Sequence, residues 1–307
     1  MKKRISELMR LSRNGLKQFL KKILPPPFQE VLRKIVHLSF APTESASIYP
    51  KTYPKTPPEE RRIFDALKDR FQVVFDVGAR NELSFYVMKP DCEYHLFEPN
   101  EQFISELQEQ VVGLTNHHII INSFGLSDVN LDNCVYYENS QSFIVNPHAY
   151  QGGLDTGKRY SVRTLDSYIV EHNISHIDYL MIDAEGLDYK IIVGGLDTIQ
   201  NNKVSCIQFE YWDGLKKFVD ILQNYQLYLM MEPVLLKAIK EIIAPVMTPE
   251  ERQIDFNKSI IEVNNTLVDL IDFKVLPTGN GGNILGINKN IPHLYSDKLV
   301  FDIMNDC

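Results

Sequence analysis

The amino-acid sequence predicts an α/β protein built around a mostly parallel, doubly wound sheet. Short apolar segments alternate with helical patterns from about residue 72 to residue 231, and this alternation is typical of parallel strands joined by crossover helices. The 307-residue chain is 44% apolar and 23% charged, as in ordinary globular proteins. It contains no run of roughly 18 apolar residues, the length that a transmembrane helix needs.

The apolar segments place seven strands and five helices along the chain. The predicted strands are 72–77, 93–97, 118–121, 178–182, 204–209, 227–231 and 284–287. The predicted helices are 83–88, 101–110, 165–172, 187–200 and 215–224. Residues 133–163 are predicted to form short strands and loops.

Residues 1–40 are predicted to be a separate basic, amphipathic helical segment. They hold ten lysines and arginines but only two acids, a net charge of +8, so the other 267 residues carry −16. Apolar residues recur at helical spacing through residues 5–24, with basic residues between them. Two interpretations stay open: helices that pack on the domain or on a second subunit, and a peripheral contact with an anionic membrane surface.

Proline content and helical signals set the other boundaries. Eight of the 16 prolines lie between residues 25 and 58, so residues 41–58 are predicted to be a proline-rich linker and residues 59–292 the main domain. Residues 233–272 are predicted to be a helical insertion, or lid, before the last strand, with a helix start at Thr248-Pro249-Glu250-Glu251. Residues 293–307 form a C-terminal tail.

The charge and cysteine patterns exclude several classes of protein. An acidic body repels phosphates, so no nucleic-acid partner is expected. The four cysteines stand far apart, with no CxxC pair and no cluster at zinc-finger spacing, which is typical of reduced thiols in a cytosolic protein. The N-terminus lacks the pattern of a secretory signal. We therefore predict a cytoplasmic protein, in which residues 1–40 are the only candidate for a peripheral membrane contact. No metal site is predicted.

Acids end the first two predicted strands, where a nucleotide-like ligand meets a doubly wound sheet. Asp76 can accept from an amino group, and Gly78 lets the backbone approach a ligand closely. Glu98 follows 22 residues after Asp76, at a position that can accept both hydroxyls of a ribose. Alternatively, Glu98 is a helix N-cap acid beside Pro99.

These two features occur in sites for NAD and for S-adenosylmethionine alike. After Gly78 the chain continues Ala79-Arg80-Asn81-Glu82, which lacks the further glycines of GxGxxG that cradle a pyrophosphate. S-adenosylmethionine has no phosphate, so one glycine and an acid suffice. The pattern therefore favours a methyl donor over NAD.

Three carboxylates, Asp183, Glu185 and Asp188, gather where the fourth predicted strand becomes a helix. That strand is expected to adjoin the first, across the point where the strand order reverses. A carboxylate there can take a proton from an attacking hydroxyl, or hold a metal that does so. Alternatively, these acids favour the dipole of the helix that follows, the interpretation preferred for Asp188.

With these acids and glycines, the chain resembles the FkbM family of S-adenosylmethionine-dependent methyltransferases, mostly O-methyltransferases of sugar or polyketide hydroxyls. The resemblance covers about residues 71–232, with a final strand near 283–288, and implies a class I, Rossmann-like fold. Its motifs are FDVGA (75–79), HLFEPN (95–100), FGLSD (124–128), VRTLDSYI (162–169), IDYLMIDAEGLDYKIIVGG (177–195) and IQFEY (207–211).

Position by position, the resemblance assigns roles to residues of this chain. It implies donor contacts at Asp76, Gly78, Ala79 and Glu98, with Ser127 and Asp128 near the adenine. It also implies that Asp183 and Glu185 lie in the active-site cleft, with Glu210 ending the next strand.

Two positions depart from the family's pattern. Glu82 stands where a second glycine is expected, and Met181 stands where a lysine is usual. The alternative function is therefore a catalytically lapsed, methyltransferase-fold binding or scaffold protein.

Histidines offer a competing base. His148 lies in the irregular segment 139–160, which is expected to overhang the cleft. His95 lies within a predicted strand and is expected to be a hydrogen-bonded residue of the sheet. The sequence thus predicts methyl transfer to a hydroxyl of a glycan or other polar acceptor, such as a lipid-linked or surface glycan, with Asp183, Glu185 and His148 as candidate catalytic residues.

Overall fold

The protein is described here by a computed structural model. It describes residues 64, 66–81, 83, 89–114, 116–138, 143–146, 154–184, 186–211, 214–230, 240, 244, 247–255, 260–273 and 283–291. The predictions for residues 1–40, 41–58 and 293–307 lie outside these residues, as do residues 84–88 of the predicted helix 83–88. His148, Glu185 and Glu82 also lie outside them.

Within these residues the chain forms two β-sheets. The strands are β1 (Val73–Val77), β2 (Glu93–Phe97), β3 (His118–Asn122), β4 (Gly125–Leu126), β5 (Leu131–Glu138), β6 (Phe143–Asn146), β7 (Leu154–Arg163), β8 (Ile177–Ile182), β9 (Val204–Glu210), β10 (Tyr225–Met230), β11 (Ile260–Glu262) and β12 (Asn283–Asn288). The larger sheet has the order β11-β10-β12-β9-β8-β1-β2-β3, and the smaller sheet has the order β4-β7-β5-β6.

The larger sheet is the mostly parallel, doubly wound sheet that the sequence predicts. Its strands β3, β2, β1, β8 and β9 run parallel, while β12 is antiparallel to both of its neighbours and β11 is antiparallel to β10. The chain winds from β1 toward β3 on one side and from β8 toward β9 on the other. The strand order therefore reverses between β1 and β8, and all seven predicted strands are confirmed.

The central strands are buried on both faces, as parallel strands covered by helices are. In β1, Phe75 and Val77 belong to one buried cluster and Val74 to another. Successive side chains point to opposite faces of a strand. Asp76 therefore shares the face of Val74.

Helices connect these strands. They are α1 (Glu101–Val111), α2 (Leu165–Glu171), α3 (Asp188–Gly194), α4 (Leu196–Gln200), α5 (Lys216–Ile221) and α6 (Asn265–Phe273). Side chains cap the first two. Asn100 Oδ1 accepts from the Gln102 N–H at 3.0 Å, and Thr164 Oγ1 accepts from the Ser167 N–H at 3.1 Å, so orphan backbone donors at both starts are satisfied.

The helix predicted over residues 187–200 is instead two helices, α3 and α4, which meet at Gly194 and Gly195. A Cβ atom at Gly194 would lie 1.9 Å from the Ser127 carbonyl oxygen, and one at Gly195 would lie 2.5 Å from Leu165 Cδ2. Glycine is a weak helix former, and here it permits two close contacts. The single-helix prediction was wrong because helical spacing does not register such contacts.

Residues 233–272, predicted to be a helical insertion, include in their described part both α6 and the strand β11. At the predicted start signal, the Glu251 N–H donates to Thr248 Oγ1 at 3.2 Å and the Thr248 N–H donates to Glu251 Oε2 at 2.6 Å. This capping box opens a 3-10 turn at Glu251–Gln253. β11 extends the sheet beyond β10, and its three residues are too few to show a strand period.

Two polar contacts stabilise the sheet away from the carboxyl ends of its strands. Asp178 Oδ2 accepts the N–H groups of Gln72 at 2.8 Å and Val73 at 2.9 Å, which ties the amino end of β8 to the start of β1. His95 is 1% exposed, and its ring nitrogens lie 2.7 Å from the Tyr168 hydroxyl and from a Glu93 carboxylate oxygen. The expectation of a hydrogen-bonded sheet histidine is confirmed.

Candidate functional site

The carboxyl ends of β2, β1 and β8 lie side by side at one edge of the larger sheet. Val77 pairs with Phe97 on one side and with Ile182 on the other, and each of these residues ends its strand. The turns that follow the three strands are therefore neighbours. In doubly wound sheets ligands bind at this edge, where the strand order reverses.

Gly78 allows the first and third of these turns to touch. Its φ is +97°, and a Cβ atom there would lie 2.0 Å from the Asp183 carbonyl oxygen. The Asp183 N–H donates to the Val77 carbonyl at 2.9 Å, and the N–H groups of Gly78 and Ala79 donate to the Phe97 carbonyl at 3.0 and 3.3 Å. The main chain at Gly78 thus joins all three strand ends.

Glu98 is buried between two backbone donors. It is 5% exposed, its Oε1 accepts the Asn100 N–H at 2.7 Å, and its Oε2 accepts the Arg80 N–H at 3.0 Å. Burial raises the pKa of Glu98 to about 6, although both N–H groups and the Arg80 charge act in the opposite direction. Each carboxylate oxygen still has a lone pair for one further donor.

The alternative interpretation of Glu98 as a helix N-cap does not hold. The N-cap of α1 is Asn100, whose side chain accepts from the Gln102 N–H. Glu98 lies two residues earlier, where its N–H donates to the Asn122 carbonyl at 3.1 Å and so continues the pairing of β2 with β3. Its carboxylate therefore bridges the N-cap residue of α1 and the turn after β1, and does not itself cap the helix.

Asp76 and Asp183 stand on the strand ends beside Glu98. Asp76 is 5% exposed and pairs in register with Leu96 of β2 and Met181 of β8. Burial raises the pKa of Asp183, and the positive charge of Arg80 opposes that rise. The sequence-predicted acids of β1, β2 and β8 are thus brought to one edge.

Arg80 is a residue of this edge that the sequence pattern did not single out. Its backbone has φ +54°, in the left-handed region that few residues other than glycine and asparagine adopt. Its charge lowers the pKa values of both Glu98 and Asp183. Only the spatial closeness of the strand ends reveals this role.

Asp188 begins α3 but is turned inward. It is 1% exposed, and its Oδ1 accepts the Glu210 N–H, at the end of β9, at 2.9 Å. Burial raises its pKa well above the ordinary value, and the charges of Asp183 and Glu210 add to the rise. The preferred interpretation, an acid that favours the helix dipole, does not include this contact.

Ser127 and Asp128 lie where the smaller sheet begins. The Ser127 N–H donates to the Arg163 carbonyl of β7 at 2.9 Å, and Ser127 Oγ donates to Asp128 Oδ1 at 3.0 Å. The Ser127 carbonyl packs against Gly194 at the end of α3. One helix thus contacts Ser127 with its last residue and follows the Asp183 loop with its first.

The smaller sheet also brings Tyr160 toward the start of α1. Burial raises the pKa of the Tyr160 hydroxyl, and the negative charges of Glu101 and Glu98 add to this rise. Tyr160 is a buried residue of β7. The sequence could not indicate its neighbours, because β7 pairs with strands that were predicted only as short strands and loops.

Among the residues that the structure describes, no group of three or more histidine, cysteine, aspartate or glutamate side chains is arranged to hold a metal ion. In the same part of the chain, no helix combines the length and the apolar character that crossing a membrane requires.

The sequence matches one known protein family. A family model described as the methyltransferase FkbM domain matches residues 76–229, which is half of the chain. The matched residues run from Asp76 of β1 to β10 and include every described acid of the site. A search of curated proteins finds no match.

Solved structures of methyltransferases are similar to the chain at low identity. Methyltransferase FkbM from Methylobacillus flagellatus KT is 14% identical over 52% of this chain and 40% of its own, with a TM-score of 0.38. The N-terminal domain of EvdMO1 with SAH and D-fucose is 9% identical over 84% of this chain and 96% of its own, with a TM-score of 0.33. Coclaurine N-methyltransferase with N-methylheliamine and SAH is 10% identical over 91% of this chain and 96% of its own, with a TM-score of 0.34. The chain thus matches well under half the length of the FkbM structure.

Replacing Gly78 by alanine is expected to destabilise the protein by about 2–5 kcal/mol, because strain at positive φ adds to overlap with the Asp183 carbonyl. Gly157→Ala is a matched control, since Gly157 has φ +75° but a Cβ there meets no atom within 4 Å. That control is expected to cost only about 1–2 kcal/mol. Urea unfolding of both variants measures the difference, and equal losses would contradict a close approach at Gly78.

Proposed function

Because the chain belongs to the FkbM methyltransferase family, we propose that it transfers a methyl group from S-adenosylmethionine to a hydroxyl of a glycan or other polar acceptor. One observation carries the proposal: three carboxylates, two of them buried, stand at the ends of three adjacent parallel strands around a glycine turn. Asp76, Glu98 and Asp183 are these carboxylates.

The chemistry of these residues fits the methyl donor. Glu98 has one free lone pair on each oxygen and can accept the two ribose hydroxyls. Asp76, two residues before the Gly78 turn, can accept from the donor's amino group. A cluster of carboxylates raises its own pKa values and therefore gains from a nearby cation. When bound, the donor supplies a sulfonium-activated methyl group and that positive charge.

The turn after β1 disfavours NAD. A pyrophosphate carries negative charge, and Asp183, whose main chain touches this turn, would repel it. The first turn also offers Ala79 and Arg80 after Gly78 where a dinucleotide site has further glycines. The Rossmann oxidoreductase remains the less favoured alternative.

Asp183 is the proposed base of the reaction. As the new carbon–oxygen bond forms and the carbon–sulfur bond breaks, S-adenosylhomocysteine (SAH) leaves as a neutral thioether. The acceptor hydroxyl must then lose its proton, and an ionised Asp183 carboxylate can take it. Its raised pKa makes it a stronger base than an exposed aspartate. Glu185, two residues later in the sequence, is the second proposed catalytic carboxylate, and His148 is the competing base.

The charge of the edge bears on the acceptor's class. Phosphorylated or carboxylated acceptors would bring a negative charge next to Asp183 and Glu210, whereas a neutral hydroxyl brings none. We therefore propose an acceptor that is neutral around the methylated hydroxyl. A sugar ring of a surface or lipid-linked glycan satisfies this condition.

The affinity for SAH is expected to fall as the pH falls through about 6, because Glu98 must be ionised to accept both ribose hydroxyls. Calorimetric titration of SAH between pH 5 and pH 8 measures this dependence. Binding should weaken by up to about tenfold per pH unit below the pKa. NAD titrated under the same conditions should give no heat, and binding of NAD alone would overturn the proposed donor.

Two variants show whether Glu98 or Asp183 causes the pH dependence of SAH binding in that titration. Glu98→Gln removes the titrating group and should both weaken SAH binding and flatten its pH dependence. Asp183→Asn keeps Glu98 and should leave the pH dependence in place. A wild-type affinity that stays constant from pH 5 to pH 7.5 would contradict the assignment.

Asp183→Asn is expected to lower methyl transfer by about 10²–10⁴-fold, because the amide cannot take the hydroxyl proton. Its affinity for SAH should stay within about threefold of wild type. Incorporation of tritiated methyl from the donor into neutral glycans provides the rate, with Asp178→Asn, at the other end of β8, as the matched control. Unchanged transfer by Asp183→Asn would remove this residue as the base.

The same assay tests the alternative function. A lapsed methyltransferase-fold protein would bind SAH but transfer no methyl group. Met181 is one of the two departures from the family's pattern that motivate this alternative, since the family usually has a lysine there. It is a buried residue of β8 that packs in the apolar cluster with Val74.

We also propose that residues 1–40 bring the enzyme to an anionic membrane surface, since they carry +8 against −16 for the remainder. Deleting them should abolish sedimentation with vesicles of anionic phospholipid and leave SAH binding unchanged. Vesicles of neutral phospholipid serve as the control. Undiminished sedimentation of the truncated protein would refute the membrane role, and dissociation of a dimer on deletion would support packing between subunits instead.

A further inference from the structure

We propose that Asp188 is a positioning residue for Asp183, the proposed base: its side chain holds the end of β9 against the loop that carries Asp183. The proposal deepens the proposed methyl transfer and rests on it for its kinetic arm. Asp188 touches neither the donor nor the acceptor in this scheme and acts through Asp183 and Glu210.

The contact joins two strand ends that belong to the same sheet edge. Asp188 lies five residues after Asp183, and its Oδ1 accepts the N–H of Glu210, the last residue of β9, at 2.9 Å. The Asp183 N–H in turn donates to the Val77 carbonyl of β1 at 2.9 Å. Backbone hydrogen bonds and one buried carboxyl thus connect the carboxyl ends of β1, β8 and β9.

The second carboxyl oxygen of Asp188 indicates the protonation state of this side chain. Asp188 Oδ2 is buried and has no hydrogen-bond partner among the described residues. An ionised carboxylate with a bare, buried oxygen is strongly disfavoured, and the neutral acid is preferred. The raised pKa of Asp188, caused first by burial, agrees with this state.

A neutral Asp188 suits a neighbouring base. The charged groups that act on it are Asp183, from the loop after β8, and Glu210, from β9. A third negative charge would raise the pKa of Asp183 further and hold it in the protonated form. A neutral Asp188 side chain instead supplies the oxygen that accepts the Glu210 backbone N–H, and it adds no charge.

The test compares Asp188→Ala, which removes the acceptor oxygen, with Asp188→Asn, which keeps it. Asp178→Ala is the matched control, because Asp178 also binds backbone N–H groups, at the amino end of β8. Hydrogen exchange at the Glu210 amide reports the contact directly and needs no acceptor. We expect exchange about tenfold faster in Asp188→Ala, and within about threefold of wild type in Asp188→Asn and Asp178→Ala.

The kinetic arm uses tritiated methyl transfer and SAH titration. Asp188→Ala is expected to lower kcat by about tenfold or more while the SAH dissociation constant stays within about threefold. Asp188→Asn should restore turnover and keep the acid limb of the kcat–pH profile where wild type has it. A purely structural role would instead lower turnover and SAH affinity together.

Several outcomes overturn the proposal. These are unchanged exchange at Glu210 in Asp188→Ala, loss of turnover in Asp188→Asn, or a shift of its acid limb to lower pH, which would mean that wild-type Asp188 is ionised. Should Asp188→Ala not fold, Asp188→Asn still decides, because faster exchange at Glu210 in that variant contradicts the contact. If wild type neither binds SAH nor transfers methyl, the proposed function fails, while the exchange data still judge the positioning contact.

Discussion

The candidate site depends on one close approach, that of the main chain at Gly78 to the main chain of Asp183. Parallel strands hold their ends about 5 Å apart, but the turns that follow them usually diverge. Here a missing Cβ and a positive φ let the turn after β1 lie directly on the turn after β8. The Phe97 carbonyl, which accepts from both Gly78 and Ala79, adds the end of β2. Backbone contacts therefore set the positions of Asp76, Glu98 and Asp183.

Such an edge concentrates negative charge among side chains that are partly or fully buried. Burial raises the pKa values of Glu98, Asp183 and Asp188, and the Arg80 charge offsets only part of that rise for two of them. A cation placed among these groups lowers their pKa values and is stabilised in return. The electrostatics thus favour a positively charged ligand near Glu98 and make the Asp183 carboxylate more basic than an exposed aspartate. The neutral form preferred at Asp188 limits how much repulsion the edge must contain.

The strands and their residue types were predictable, but the contacts between distant turns were not. Periodicity located β1, β2, β8 and β9, and their terminal acids followed from the position at which each strand ends. The left-handed backbone of Arg80, the inward turn of Asp188 and the approach of Tyr160 depend on residues 18 to more than 60 positions away. A single sequence carries no signal for such pairs. β11 and the break at Gly194 escaped for a simpler reason, since three residues and one tight contact leave no period.

The short helix α3 has a further consequence for how this protein can change over time. Its first residue, Asp188, accepts a hydrogen bond from the end of β9, and its last residue, Gly194, lies against Ser127. One residue inserted between them would turn Gly194 by about 100° and move it by about 1.5 Å, so the glycine would no longer face the Ser127 carbonyl. Insertions and deletions should therefore be selected against in this helix, because they would change the spacing between the end of β9 and Ser127.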